Sequence, residues 1–155
     1  MPNGVVEAIC IAPEAGLPMR MVERVEAIAG KGLLGDRYAS GAGSFNKKVG
    51  VGTRQVTLMN ACFFEGSGFV YGHSRRNIIV RDTELMWLIG REFLVGAARL
   101  RGLEYCDPCM RPSKLAGKSL AFMDVFQDAG GLMAEVLEGG LIHVGDAVVP
   151  PPKGY

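Results

Sequence analysis

Cys106-Asp107-Pro108-Cys109 is the sharpest local feature of this chain, because two thiols in a C-x-x-C spacing have a short menu of chemistry. The pair can be a redox couple, half of a zinc site, a nucleophilic or metal-binding thiolate, or two small buried residues. A structural zinc site needs four ligands, and Cys10, Cys62, His73 and His143 are scattered singly with no partner spacing. A thioredoxin-like site needs a helix beginning between the cysteines inside alternating β/α units, which Pro112 and a strand-rich pattern oppose. Arg99, Arg101, Arg111, Lys114 and Lys118 flank the pair in sequence, and cations of that kind, if near in space, favour thiolate chemistry.

Three further sets of residues could handle an anion. Arg54-Gln55 and Arg75-Arg76-Asn77 each enter an apolar strand-like run, and Asp36-Arg37 follows a glycine-rich stretch. An arginine at a strand entry is either a solvated rim residue or one fork of a set converging on phosphate or carboxylate. Gly30-Lys31-Gly32-Leu33-Leu34-Gly35 matches G-x-G-x-x-G, but no stable helix opens at Asp36-Arg37-Tyr38-Ala39-Ser40-Gly41. Beyond Asp36 no acid appears before Glu65, so the dinucleotide fingerprint fails in both its requirements. His73 and His143 have no readable Ser or Asp arrangement and are taken as structural or surface residues. Trp87 and the Phe63-Phe64 pair fit a core.

The charge distribution agrees with an anionic partner. The formal net charge is only +1, yet residues 31–118 carry fourteen Lys/Arg against seven Asp/Glu, and both flanks are acidic. A cationic middle asks for an anion. Nucleic acid is excluded, since there is no basic stripe interleaved with aromatics and no recognition helix.

The elements that must position these residues follow from glycine and hydrophobic alternation. Twenty-two glycines in 155 residues disfavour a helix bundle and suit short strands joined by turns and bulges. Strands are predicted at Val5–Ala12, Met19–Ile28, Arg54–Met59 and Ser74–Arg81, with a strand pair over Glu92–Tyr105 broken at Gly96 and Gly102. Leu132–Leu137 and Leu141–Val149 around Glu138-Gly139-Gly140 form the clearest predicted hairpin. Short helices are predicted after Asn60 and Thr83 and over Leu120–Gln127, while residues 30–48 form a long loop. Pro108 and Pro112 limit 106–118 to at most one helical turn. The expectation is one mostly β, compact barrel-like domain over residues 1–150 with two or three short helices, and a tail at 151–155. No basic n-region precedes an apolar run at the N-terminus and no window of 18 apolar residues occurs, so the expected setting is cytoplasmic, with no membrane partner and reduced cysteines.

The order of these motifs resembles the MOSC family, named for the C-terminal domain of molybdenum cofactor sulfurases. The resemblance runs through Gly32-x-x-Gly35-Asp36-Arg37-Tyr38, Arg54-Gln55-Val56-Thr57-Leu58 and Arg75-Arg76-Asn77-Ile78. It continues with Leu88-Ile89-Gly90-x-x-Phe93, Cys106-x-Pro-Cys109, the Gly130–Gly140 run and Ile142-x-Val144-Gly145-Asp146. It implies a compact β-barrel-like domain that binds the molybdenum cofactor, of molybdopterin type, or carries sulfur destined for a metal centre. It also implies Cys109 as the key residue, either metal ligand or persulfide carrier, with Cys106 beside it. Arg75, Arg76, Asn77, Arg54, Gln55, Asp36 and Arg37 would then hold the pterin phosphate or the metal-side oxygens. The implied roles are reduction of N-hydroxylated compounds, cofactor handling or sulfur relay. Family members often carry His where this chain has Tyr38, and Arg where it has Asp128 or Ala129. With no desulfurase domain in the chain, no pyridoxal phosphate is expected, and sulfur or electrons would come from a cysteine desulfurase or an electron-transfer protein.

Overall fold

The computed structural model describes residues 2–43, 54–119 and 121–153. Its centre is a closed barrel of seven strands: β1 (Gly4–Ile11), β5 (Val56–Asn60), β6 (Ile78–Arg81), β7 (Glu92–Val95), β8 (Ala98–Tyr105), β9 (Leu132–Glu138) and β11 (Ala147–Val149). The order runs β11-β7-β8-β9-β5-β6-β1, and β1 closes on β11 through Gly4–Val148 and Val5–Ala147. Only β5 and β6 run parallel; every other pair is antiparallel. The short strand β2 (Arg20–Val22) extends the sheet from β1, and β10 (Gly140–His143), β3 (Arg24–Ile28) and β4 (Gly32–Leu33) form a second, three-stranded sheet. The mostly β barrel with short helices expected from the sequence is therefore the observed fold.

Alternation builds the core. Leu58, Ile78 and Val80 face the barrel interior with Val6, Phe93 and Leu100, while their neighbours Met59 and Ile79 face outward. That outer face is covered by a second apolar cluster in which Phe69, Phe122 and Phe126 stack edge to face or tilted, with centroids 4.4–5.8 Å apart. Both faces of β6 are thus buried, which is why Ile78-Ile79-Val80 is an unbroken apolar run.

The structure corrects several sequence expectations. Met19–Ile28 is two strands with a break at Glu23, and only β3 shows the expected wet face. The predicted helices after Asn60 and Thr83 are single 3-10 turns, Ala61–Phe63 and Met86–Leu88. Asn60 caps nothing; its amide donates to the Thr83 carbonyl at 2.8 Å. Phe64 is core, but Phe63 is exposed. The strand predicted from Ser74 begins only at Ile78, because residues 71–74 form a 3-10 turn and Arg75 takes a left-handed conformation (φ 63°). The Gly30–Gly43 loop contains β4 and α1 (Arg37–Ser40), and the remainder of the predicted 30–48 loop lies outside the described residues.

The predicted hairpin at Gly139-Gly140 is absent. β9 pairs with β5 and β8, while β10 leaves the barrel to pair with β3. Neither glycine has the positive φ of a tight hairpin turn. They serve close approach instead: a Cβ on Gly139 would sit 2.6 Å from the Ala27 carbonyl oxygen, and one on Gly140 would sit 2.6 Å from that of Ala97. Pro112 does not block a helix either. It occupies the first turn of α2 (Arg111–Ala116), where its missing N–H costs nothing. The third helix, α3 (Phe122–Val125), is tied to α2 by the Phe122 N–H donating to Ser113 Oγ at 2.7 Å.

Candidate functional site

Asp36 organises the first wall of the site. It caps α1, accepting from the Tyr38 N–H at 3.2 Å, and its other oxygen accepts from the Ala12 N–H at 3.1 Å. The same oxygen takes Arg37 Nη1 at 3.1 Å in a buried ion pair. Arg37 also donates to Tyr38 Oη at 2.9 Å, to the Arg75 carbonyl at 3.1 Å and to the Met19 thioether at 3.4 Å. Its guanidinium is thereby fixed over the Tyr38 ring, 4.2 Å from the centroid.

Arg75 and Arg76, adjacent in sequence, diverge because of the left-handed residue at 75. Arg75 donates to the Leu17 carbonyl, and burial together with Arg37 and Arg111 lowers its pKa to about 10, against the opposing pull of Tyr38 and Asp36. Arg76 turns the other way and donates to four carbonyls: Gly130 at 2.8 Å, Asp107 at 3.2 Å, and Cys106 and Ser74 at 3.4 Å. It therefore holds the loop that carries the cysteines. Gly130 completes that seat, since a Cβ there would lie 2.3 Å from the Cys106 oxygen and 2.7 Å from Pro108 Cδ.

These walls enclose a cleft of about 140 Å³ lined by Arg37, Arg54, Arg75, Arg76 and Arg111 with Cys109 among them. Tyr38, Ala15 and Pro112 complete it. Five guanidiniums around an exposed thiol, with Asp36 paired to Arg37 behind them, form a site for an anion carrying or meeting a soft centre. Arg54 enters from the start of β5 and contacts the Met133 thioether at 3.2 Å.

The sequence-predicted residues divide cleanly. Arg37, Arg54, Arg75, Arg76 and Cys109 converge. Asp36 stands behind Arg37. Gln55 and Asn77 lie off the cleft and stitch strands: Gln55 Oε1 accepts from the Val136 N–H at 2.9 Å, while Asn77 bridges Thr57 and the Cys10 carbonyl. Cys106 is buried beneath the loop and does not line the cleft. Of the five flanking cations, only Arg111 reaches it; Arg99 and Arg101 pair with Glu138 and Glu135 across the outer sheet. Tyr38 and Arg111 were not assigned as binding residues by sequence, although Tyr38 ends the Gly32–Tyr38 motif and Arg111 was noted as a cation flanking the cysteines.

No helix among the described residues is long and apolar enough to cross a membrane. Among curated proteins, none matches the sequence. Solved structures similar in fold include the YuaD protein from Bacillus subtilis, with a TM-score of 0.76 at 17% identity, covering 95% of this chain and 94% of that one. YiiM from Geobacillus stearothermophilus (TM-score 0.68, 14% identity) is covered over 77% of its length, and YiiM from Escherichia coli (0.66, 12%) over 70%; they span 99% and 96% of this chain. The MOSC domain model matches residues 51–149, nearly two thirds of the chain and most of the barrel, and on that match this protein belongs to the MOSC domain family.

Proposed function

We propose that this protein binds the molybdenum cofactor with Cys109 as metal ligand, taking part in reduction of N-hydroxylated compounds or in handling the cofactor. The observation that carries this reading is one exposed thiol ringed by five arginines. The described residues contain no cluster of three or more His, Cys, Asp or Glu side chains that could cage a bare ion. A single soft thiolate suits a metal that arrives inside an anionic organic ligand, and the arginine forks suit that ligand's phosphate or oxygens. The cleft's size fits such an anionic end, not a whole pterin.

When bound, the cofactor supplies the redox chemistry at its metal, with electrons from a separate electron-transfer protein. This chain's residues do the rest. Arg76 fixes the 106–109 loop, Arg37 is locked by Asp36 and Tyr38, and Arg54, Arg75 and Arg111 present positive charge to the anion. The proposed setting is the reducing cytoplasm, where the four cysteines would stay thiols. Replacing Cys109 with Ser and measuring molybdenum after expression with cofactor supply tests the reading. The metal is expected to be lost, and unchanged content would refute the ligand assignment.

The exposure of Cys109 also favours a second reading, a sulfur relay. In it the Cys109 thiolate attacks the outer sulfur of a cysteine desulfurase persulfide, forming a new S–S bond and releasing the desulfurase thiolate. Intact mass after incubation with a desulfurase and cysteine separates the two: gain of one sulfur, absent in Cys109→Ser, marks relay.

A further inference from the structure

A cavity of the opposite sign lies apart from the cationic cleft. It holds about 600 Å³, within the range of small-molecule sites, and shares no lining residue with the cleft. Three stretches of chain meet there: Glu7 comes from β1, Arg81 ends β6, and residues 61–71 supply the rest. Phe64, Phe69 and Tyr71 form its apolar wall, and Phe64 meets Tyr71 edge to face with centroids 5.0 Å apart. Phe64 and Phe69 belong to the buried aromatic cluster and Tyr71 packs against it, so the core fixes this wall. Val70, at 62% exposure, adds apolar surface open to a ligand.

The charged lining is two carboxylates and one guanidinium. Arg81 is already neutralised, since it donates to Glu7 at 3.0 Å and to Asp82 at 2.8 Å. Glu65 makes no ion pair among the described residues and is exposed, so its charge is open to a ligand. Burial and the Glu7 charge raise the Tyr71 pKa, so its hydroxyl keeps its proton at pH 7. An adjoining cavity of about 470 Å³ shares Cys62 and Arg81 and adds Asp82 and Glu84. Across both, four carboxylates accompany one arginine, and no lysine or histidine lines either. That field repels an anion and complements a cation.

We propose that this cavity is a second binding site, for a small organic cation: a protonated amine carrying an apolar, ring-sized body. The ammonium group pairs with Glu65 and Glu7, and the body rests on Phe64, Phe69, Tyr71 and Val70. Aromatic rings suit such an occupant twice, as apolar surface and as partners for positive charge. The occupant is a small molecule, because the cavity has the volume of such sites. This site holds whichever chemistry Cys109 performs.

Calorimetric titration with phenethylammonium, ethylammonium, phenethyl alcohol and hydrocinnamate is the test, and the alkylation rate of Cys62 locates the binding. That thiol is exposed and lines the cavity, whereas Cys109 lies in the cleft and serves as internal control. Phenethylammonium is expected to bind about fivefold or more tighter than its neutral alcohol. It is expected to bind about tenfold or more tighter than ethylammonium, which lacks the ring. Hydrocinnamate should not protect Cys62, while saturating phenethylammonium should slow labelling there and leave Cys109 unchanged. Glu65→Gln alters one exposed side chain, so the fold is kept. It should weaken the cation about threefold while leaving the alcohol within about twofold. Equal binding of alcohol and cation, binding that leaves Cys62 unprotected, or an affinity untouched by Glu65→Gln would overturn the site. Binding of none of the four would overturn it as well.

Discussion

Four cysteines of one chemical type behave as four different groups because of where their backbones lie. Cys10 is fully buried in β1, and burial pushes its pKa up to about 11, leaving only about one thiolate in a thousand at pH 8. Cys106 is buried under Arg76 and the Gly130 seat, while Cys62 and Cys109 are exposed. Iodoacetamide on the native protein at pH 8 should therefore add two groups, at Cys62 and Cys109, and four only after unfolding. Cys109→Ser should leave one. Mass spectrometry reads this directly, and rapid labelling of Cys10 in the folded state would contradict the barrel register that buries it. The arginines divide in the same manner. Arg76 is spent on four backbone carbonyls and acts as a positioning residue, whereas Arg111 lines the cleft itself.

At the scale of elements, the cysteine loop is seated by a pair of glycines at the entrance to β9. Gly131 has a φ of 104° and approaches the Leu58 carbonyl so closely that a Cβ would lie 2.0 Å from its oxygen. Gly130 leaves room for Cys106 and Pro108. Gly130→Ala must push the 106–108 loop off its seat at a cost of about 2 kcal/mol, or roughly 4–8 °C in Tm for a chain of this size. The alkylation rate of Cys109 should change with it, since the same loop carries the thiol. Thermal unfolding and labelling kinetics on one variant check both. An unchanged Tm with an unchanged rate would show that the loop does not rest on Gly130.

For the whole molecule, a barrel closed by β1 on β11 gathers positive charge at one place. Arg37 follows β4, Arg54 precedes β5, Arg75 and Arg76 precede β6, and Arg111 opens α2, so four separate connections deliver five cations to one cleft. Arg37 has Asp36 as a counterion, while burying Arg75 beside Arg37 and Arg111 lowers its pKa and costs stability. An anion that fills the cleft should recover it. Pyrophosphate at about a hundred times its Kd should stabilise the fold by about 2.7 kcal/mol. That corresponds to a Tm rise of roughly 5–10 °C over chloride at matched ionic strength. Arg54→Gln should reduce the rise. Equal Tm values in pyrophosphate and chloride would remove the anion from the function of this cleft.

Much of this was legible in residue order alone. Alternation and glycine spacing define the strands from β5 to β9 within a few residues, because each must bury one or both faces and glycine stops it. The motif series identifies the family, and the partitioned charge, +7 over residues 31–118 against a total of +1, points to an anion. Pairing was beyond it. Leu132–Glu138 and Gly140–His143 look like a hairpin, yet β10 crosses to β3, since strand partners are chosen by which apolar faces meet across the core. The roles of neighbouring polar residues were equally hidden. Arg54 and Gln55 read alike, and alternation sends one to the cleft and the other to the Val136 N–H. Sequence determined which chemical groups are available, because composition and local periodicity are properties of the chain itself. Only the tertiary structure decided which of them share a cleft, because convergence depends on long-range closure of the barrel.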